Sequence, residues 1–416
     1  MNSPTPIAKL ILMASTSLAF SASFAANAQE ADSLADAISG GEAYIDARYR
    51  LESVSQENLT ENALANTLRT KLGYKTGIWK GLSGVIEFEH SAEVAGGDYN
   101  NTINGKTDYP VIADANHTEV NQAYLAYTGM DKTTVAVGRQ ALNLGTQRFV
   151  GTVGWRQNDQ TFDSAAIINN SIEDLTVVYG YVWNVNRIFG NDHPAGDLET
   201  KTNVLDVTYK GIKGLTINSY GLMIDLDMAG VKGLNSNTFG IRASGSQDLD
   251  GGTKILYAAE YATQSDAANN PVDYSTKYYN LEAGVVFQGI TLKGGIETLG
   301  SDGGAKSFTT PLATLHKFNG WADKFLGTPA NGLRDLYVNA AYAVKDTGTA
   351  MDGTTLAVIY HDFKSDVGSL HYGSEWDASI ATKIDRYNVL FKFAKYNADA
   401  FSVNTTKFWV QVATKF

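Results

Sequence analysis

The sequence predicts an all-β protein: a transmembrane antiparallel up-and-down β-barrel of about 18 strands, with short turns at one rim and long loops at the other. Three observations predict it. Runs of alternating apolar and polar residues recur along the chain, short and long connections largely alternate between them, and the last run closes on an aromatic terminal residue.

The alternation is the primary signal, because successive side chains of a strand point to opposite faces. In 43–52, Ala43, Ile45, Ala47, Tyr49 and Leu51 share one face, while Tyr44, Asp46, Arg48, Arg50 and Glu52 share the other. Leu68, Thr70, Leu72 and Tyr74 likewise oppose Arg69 and Lys71, and Ile86 and Phe88 oppose Glu87 and Glu89. Further runs set Phe239 and Ile241 against Arg242, Tyr279 and Leu281 against Glu282, and Phe391 and Phe393 against Lys392. The apolar face is almost free of charge, as lipid demands. Such runs begin near residues 43, 64, 82, 118, 132, 161, 173, 202, 214, 236, 252, 276, 290, 333, 353, 370, 385 and 405.

Turn residues punctuate the short connections, as in Trp79-Lys80-Gly81 and Gln288-Gly289. The long ones include 95–117, 141–160, 184–201, 264–275 and 300–332. With an even strand number, both termini lie at the short-turn rim. Phe408, Val410, Val412, Thr414 and Phe416 then form one face of the final strand. A terminal aromatic on such a strand resembles the insertion signal of bacterial outer-membrane barrels.

Composition bounds the rest. Residues 1–28 read as an export signal: Lys9, an apolar stretch from Leu10 to about Phe24, then the small-x-small triplet Ala26-Asn27-Ala28. Residues 29–42 are expected to form a short N-terminal periplasmic segment, and 43–416 the barrel. Net charge is −11, and loss of the one leader lysine leaves the remainder near −12, which excludes a phosphate-binding basic surface and hence a nucleic-acid partner. Forty Gly, 22 Tyr and only 7 Pro suit turns and unbroken ladders, and the absence of Cys excludes disulfides and thiolate chemistry. The expected home is a bacterial outer membrane, with lipid and lipopolysaccharide as surroundings.

A barrel this wide encloses water, so its inward charges bear on function. The candidate pore-lining residues are Arg48, Arg50, Arg69, Lys71, Glu87, Glu89, Arg139, Arg148, Arg156 and Arg242. Inward charges on neighbouring strands can equally pair and stiffen the wall. The segment 138–158 carries Arg139, Arg148, Arg156, Gln140, Gln147, Gln157 and Trp155 amid glycines. Folded inward it would make a selective constriction, since guanidinium forks bind carboxylates and aromatic faces stack on sugar rings. As an outer loop, its arginines would pair with Asp159 and Asp163.

Gly138-Arg139-Gln140, Arg148-Phe149-Val150-Gly151, Trp155-Arg156-Gln157 and Phe162-Asp163 resemble the alginate-export family of outer-membrane barrels. So do Glu119 with 121–124 upstream and 372–377 near the end. The resemblance implies an 18-stranded monomer with an arginine-lined path for an anionic polyuronate. It carries Arg139, Arg148 and Arg156 over as solute contacts, and Arg48 and Arg69 as wall partners.

The expected function is a porin passing small polar solutes, anionic or sugar-acid in character, with no catalysis and no cofactor. The alternatives are a structural or adhesive barrel with a blocked lumen, and a barrel hydrolase. The hydrolase lacks support: the six His are scattered, no HExxH or GxSxG occurs, and His361 and Asp362 face opposite sides. A plugged transporter would need a large domain before the first strand. Asp98, Asp108, Asp114, Asp192 and Asp197 offer oxygens for Ca²⁺ in long loops, but no EF-hand-like spacing is present and solvated loop acids are the better reading.

Overall fold

The computed structural model describes residues 30–345, 347–349 and 351–416, so the expected leader lies outside the described residues. Among them, strands run in the order β1 (Glu42–Gln56), β2 (Ala63–Lys75), β3 (Leu82–Glu93), β4 (His117–Met130), β5 (Thr133–Gln140), β6 (Thr161–Asn169), β7 (Leu175–Asn186), β8 (Asp197–Ile212), β9 (Leu215–Ile224) and β10 (Ser236–Asp248). They continue as β11 (Lys254–Asp266), β12 (Ser275–Phe287), β13 (Ile290–Leu299), β14 (Ser301–Asp302), β15 (Lys306–Ser307), β16 (Leu333–Ala343), β17 (Thr355–Lys364), β18 (His371–Ile384), β19 (Tyr387–Ala398) and β20 (Thr405–Lys415).

Eighteen of these form one sheet in which each strand pairs antiparallel with its neighbours in sequence, and β1 pairs with β20. Only β14 and β15 stand apart, as a small hairpin within the loop 300–332. Closure removes every open edge, which lipid requires because it cannot satisfy free backbone groups. The terminal Phe416 continues the seam: its N–H donates to Ile45 O at 2.8 Å, and its carbonyl accepts from Ile45 N at 3.1 Å.

The strand starts lie within two residues of the sequence expectation except at β8, which begins at Asp197 rather than near 202. The register with β7 slips between Val182 and Asn184, opposite Glu199–Thr202. A bulge breaks the two-residue rhythm there, so the strand's first part does not read as a strand.

Burial follows the pleat. Leu72, Leu125, Ile241, Leu281, Leu336 and Trp376 are exposed on the outer face, while Arg50, Glu52, Glu89, Glu375 and Asp377 are buried inside. No helix among the described residues is long and apolar enough to cross a membrane. A six-residue helix, α1 (Leu34–Ser39), was too short to show a helical period in the sequence. Ser33 caps it by accepting from Asp36 N, and Ala37 O accepts from Gly77 N at 2.8 Å, tying it to the β2–β3 turn.

The start of β1 and the end of β20 share the rim of tight turns, such as 213–214 and 288–289, although 344–354 is longer than that rim's rule predicts. At the opposite rim the loops 94–116, 141–160 and 300–332 turn inward. They carry an apolar cluster into the barrel: Phe149 packs against Tyr220, Tyr278 and Phe308 at ring-centroid distances of 4.9, 5.4 and 6.0 Å. Phe325 packs similarly on Phe363, Tyr396 and Phe401.

Leu281 sits mid-strand on the outer face, 55% exposed, between Ala259 and Ile296. Leu281→Arg is expected to cost about 2–4 kcal/mol in the folded barrel, read as a lower urea midpoint in lipid bilayers.

Candidate functional site

The loop 141–160 leaves β5 and returns at β6, yet its charges meet strands far around the barrel. Arg156 donates to Glu52 Oε2 on β1 at 2.5 Å and lies 3.8 Å from Asp114. Asp114, from the loop 94–116, also accepts from Gln157 N at 2.9 Å, and its other oxygen lies 3.9 Å from Arg50. Gln157 donates to Thr67 on β2 at 2.9 Å. Asp159 takes the Lys71 ammonium and lies 3.7 Å from Arg69, while its N–H donates to Glu89 at 2.9 Å. Lys71 also pairs with Glu89 at 3.0 Å, and Arg69 with Asp46 at 2.6 Å.

On the other flank, Arg148 grips Glu297 on β13 through Nε at 2.8 Å and donates to Asn319 at 3.0 Å. Backbone bonds join this loop to 300–332: Gly151 N to Leu312 O at 2.9 Å and Thr314 N to Gln147 O at 3.0 Å. Two loops thus form one partition across the lumen, fastened at β1–β3 and at β13.

Beside the partition lies a chamber of about 650 Å³, lined by β1, β10–β13, β16, β17, β19, β20, the loop 141–160 and the segment 314–321. It adjoins a second void of about 470 Å³ toward the short-turn rim, with Arg242, Glu282, Lys293 and Asn339 lining both. The basic side chains Lys210, Lys213 and Lys254 stand around that second void.

The acids lining the chamber are all satisfied by protein. Glu260 holds Arg242 at 2.8 Å and Tyr220 at 2.9 Å. Glu282 holds Arg242 at 2.9 Å, Lys293 at 2.8 Å and the Tyr337 hydroxyl. Glu297 holds Arg148 and Tyr278, and Asp335 accepts from His361.

Three cations lining it differ. Arg48 donates only to neutral acceptors: Gln157 Oε1 at 2.9 Å, Gly154 O at 2.7 Å and the Arg156 carbonyl. Lys317 donates to Thr146 O at 2.9 Å. Lys392 meets His316 Nε2 at 2.7 Å and sits over Trp321 and Trp155 at 3.7 and 4.1 Å from the ring centroids. None of the three has a carboxylate within ion-pair distance among the described residues. Burial lowers the Lys317 ammonium from its usual range, and the like charges of Lys293 and Arg242 add to that.

The sequence-named residues therefore fall into two groups. Arg139, Arg148 and Arg156, expected to meet solute, are turned onto Asp163, Glu297 and Glu52. None of the three lines the chamber, nor do Arg50, Arg69, Lys71, Glu87 or Glu89, whereas Arg48 and Arg242 do. Glu87 instead accepts from Tyr44, Asn121 and Gln122. Asp114, considered for Ca²⁺ at an outer rim, is buried beneath Arg156. His316, Lys317 and Trp321 were missed. The clustering of His, Lys and Trp in a loop as long as 300–332 was the available signal.

A closed barrel with a lined interior and an inserted constriction defines an outer-membrane channel. The chain belongs to the alginate export family, whose model matches residues 43–298. Among solved structures it is similar to Pseudomonas aeruginosa OccK3 (OpdO), at 11% identity and a TM-score of 0.71 over 92% of this chain and 97% of that one. Acinetobacter baumannii OccAB2 gives 15% identity and a TM-score of 0.71 over 92% and 99%. Pseudomonas aeruginosa OpdK with vanillate gives 13% and 0.68 over 91% and 99%. No curated protein matches the sequence. The chain is an outer-membrane porin, a channel for small solutes.

Two predictions follow from the lashings. Arg156→Ala leaves Glu52 buried without its partner and takes one of two guanidinium groups from Asp114, and is expected to cost about 3–5 kcal/mol and to raise single-channel conductance as the loop loosens. The second concerns pH. Burial pushes the His316 imidazole well below its ordinary 6.5, with Lys392 and Lys407 opposing Asp323 in the same direction. The unfolded chain then binds a proton the folded one refuses, so stability falls as pH drops below 6.5. Urea midpoints at pH 7.5 and 5 are expected to fall further for the wild type than for His316→Gln.

Proposed function

We propose that the channel passes small anionic solutes, sugar acids among them, down their gradient and without a covalent step or cofactor. The single observation that carries this reading is the imbalance of the chamber: its acids are held by bases, phenols and amides, while Arg48, Lys317 and Lys392 are held by neutral groups. A cation held by a carbonyl keeps its full charge for a passing ion, whereas one held by a carboxylate is largely cancelled. The amides Asn280 and Asn339 and the phenol Tyr337 along the same chamber suit the hydroxyls of a sugar acid.

A monomer set in lipid and lipopolysaccharide completes the reading. Two adjoining voids with shared lining favour passage over a sealed structural barrel. The hydrolase alternative gains nothing from His361: its ring lies between Asp335 and Asp377, and no hydroxyl is among its polar partners in the described residues.

The test is the reversal potential of purified protein in planar bilayers under a tenfold KCl gradient. Wild type is expected to favour chloride. Arg48→Met and Lys317→Met are each expected to lower the chloride-to-potassium permeability ratio several-fold, and galacturonate is expected to reduce chloride current in the wild type. A wild-type channel that prefers potassium, or no measurable conductance, would overturn the proposal.

A further inference from the structure

We propose that His316 is the positioning residue for Lys392: it stands between that ammonium and the Asp323 carboxylate, prevents an internal ion pair, and so leaves Lys392 charged toward the chamber. The proposal rests on the anion-channel reading above and names how one of its three cations is kept free.

The four groups form a line. Lys392 Nζ, from β19, lies 2.7 Å from His316 Nε2. His316 Nδ1 lies 2.6 Å from Asp323 Oδ1, and Asp323 Oδ2 accepts from Lys407 Nζ of β20 at 2.6 Å. With Lys392 as an ammonium, which can only donate, His316 Nε2 carries the lone pair and its Nδ1–H donates to Asp323. A neutral imidazole in this tautomer suits both neighbours. An imidazolium would set an N–H against an ammonium.

The ring is held in place from outside the line. It stacks on Trp155 at 4.4 Å and 5°, and meets the edge of Trp409 at 5.8 Å and 75°. Trp155, Trp321 and Trp409 in turn surround the Lys392 ammonium at 4.1, 3.7 and 5.5 Å. Aromatic faces stabilise a cation through their quadrupole and leave its charge intact. Tryptophans and a neutral imidazole therefore do together what one carboxylate would do, without cancelling the charge. The acids whose fields reach Lys392 are Asp377 and Asp323, and Asp323 lies on the far side of the imidazole. Take the ring away and a buried ammonium and a buried carboxylate face each other across an empty slot, which they will close.

The placement is economical of chain. His316 and Lys317 belong to one short helical turn, Leu315–Lys317, so a single turn of the inserted loop sets two of the three chamber cations.

The experiment measures reversal potentials of the full-length channel for Lys392→Met, His316→Ala, His316→Gln and the double variant His316→Ala/Lys392→Met. Lys392→Met is expected to lower the chloride-to-potassium permeability ratio several-fold. His316→Ala removes the ring and opens the slot between Lys392 and Asp323, and is expected to fall to the same ratio, with no further loss in the double variant. His316→Gln can accept from Lys392 and donate to Asp323, and is expected to restore most of the wild-type ratio. Should His316→Ala fail to insert as a barrel, His316→Ser carries the same comparison. A wild-type ratio in His316→Ala beside a lowered one in Lys392→Met would overturn the positioning role, and so would an unchanged ratio in Lys392→Met. If Arg48→Met and Lys317→Met still lower the ratio in that case, only this inference fails. If they too leave it unchanged, the anion reading fails with it.

Discussion

A loop can be stored inside a wet barrel only if its charges meet their opposites on the wall. That constraint organises this protein. Arg156 answers Glu52 and Asp114, Asp159 answers Lys71 and Arg69, and Arg148 answers Glu297. All of these groups are buried except the half-buried Asp159, so removing one partner leaves the other in a site poor in water. The mixed charge of the wall is the imprint of this requirement. Acids and bases alternate along β1–β3 because the segment that docks there carries both signs.

Once the lashings are subtracted, the chamber keeps three cations held by neutral groups, Arg48, Lys317 and Lys392. Charged side chains inside the barrel do two different jobs, and the nature of the acceptor separates them. A guanidinium on a carboxylate is structural, as with Arg139, Arg148 and Arg156. One on carbonyls, such as Arg48, keeps its field. The same contrast sets Lys71, among Asp159, Glu87 and Glu89, against Lys392, among tryptophans and an imidazole. Net sequence charge conceals this, because a strongly acidic chain can still present cations to a chamber inside its barrel.

The interior is also greasier than a water-filled tube would suggest. Toward the long-loop rim, Val182, Leu222, Phe363 and Tyr396 are buried, packed against or beside the inserted loops. These positions have apolar residues on both faces of the strand, lipid outside and loop inside. Burial of Phe149, Phe308 and Phe325 supplies the attraction, and the ion pairs supply the registration that tells one docked arrangement from another.

The sequence by itself determined the barrel, its strand number, the alternation of turns and loops, and the outward and inward sides of most strands. That much is legible because the two-residue period is a local property, written within about ten neighbouring residues. It failed where local order fails, at the β8 bulge and in the six residues of α1, and at 344–354, a long connection on the short-turn rim. The segment 138–158 was legible as special from its arginines and glycines, and Arg48 as one of its wall partners. Which arginine would face solute was not, because the answer depends on carboxylates far along the chain: Arg148 meets a residue 149 positions away and Arg156 one 104 positions away. His316 and Lys392, separated by 76 positions, become neighbours only when a loop and a strand close on each other across the lumen. A pleat is decided by adjacent residues, whereas the charge left over in a pore is a difference among partners that only the closed barrel brings together.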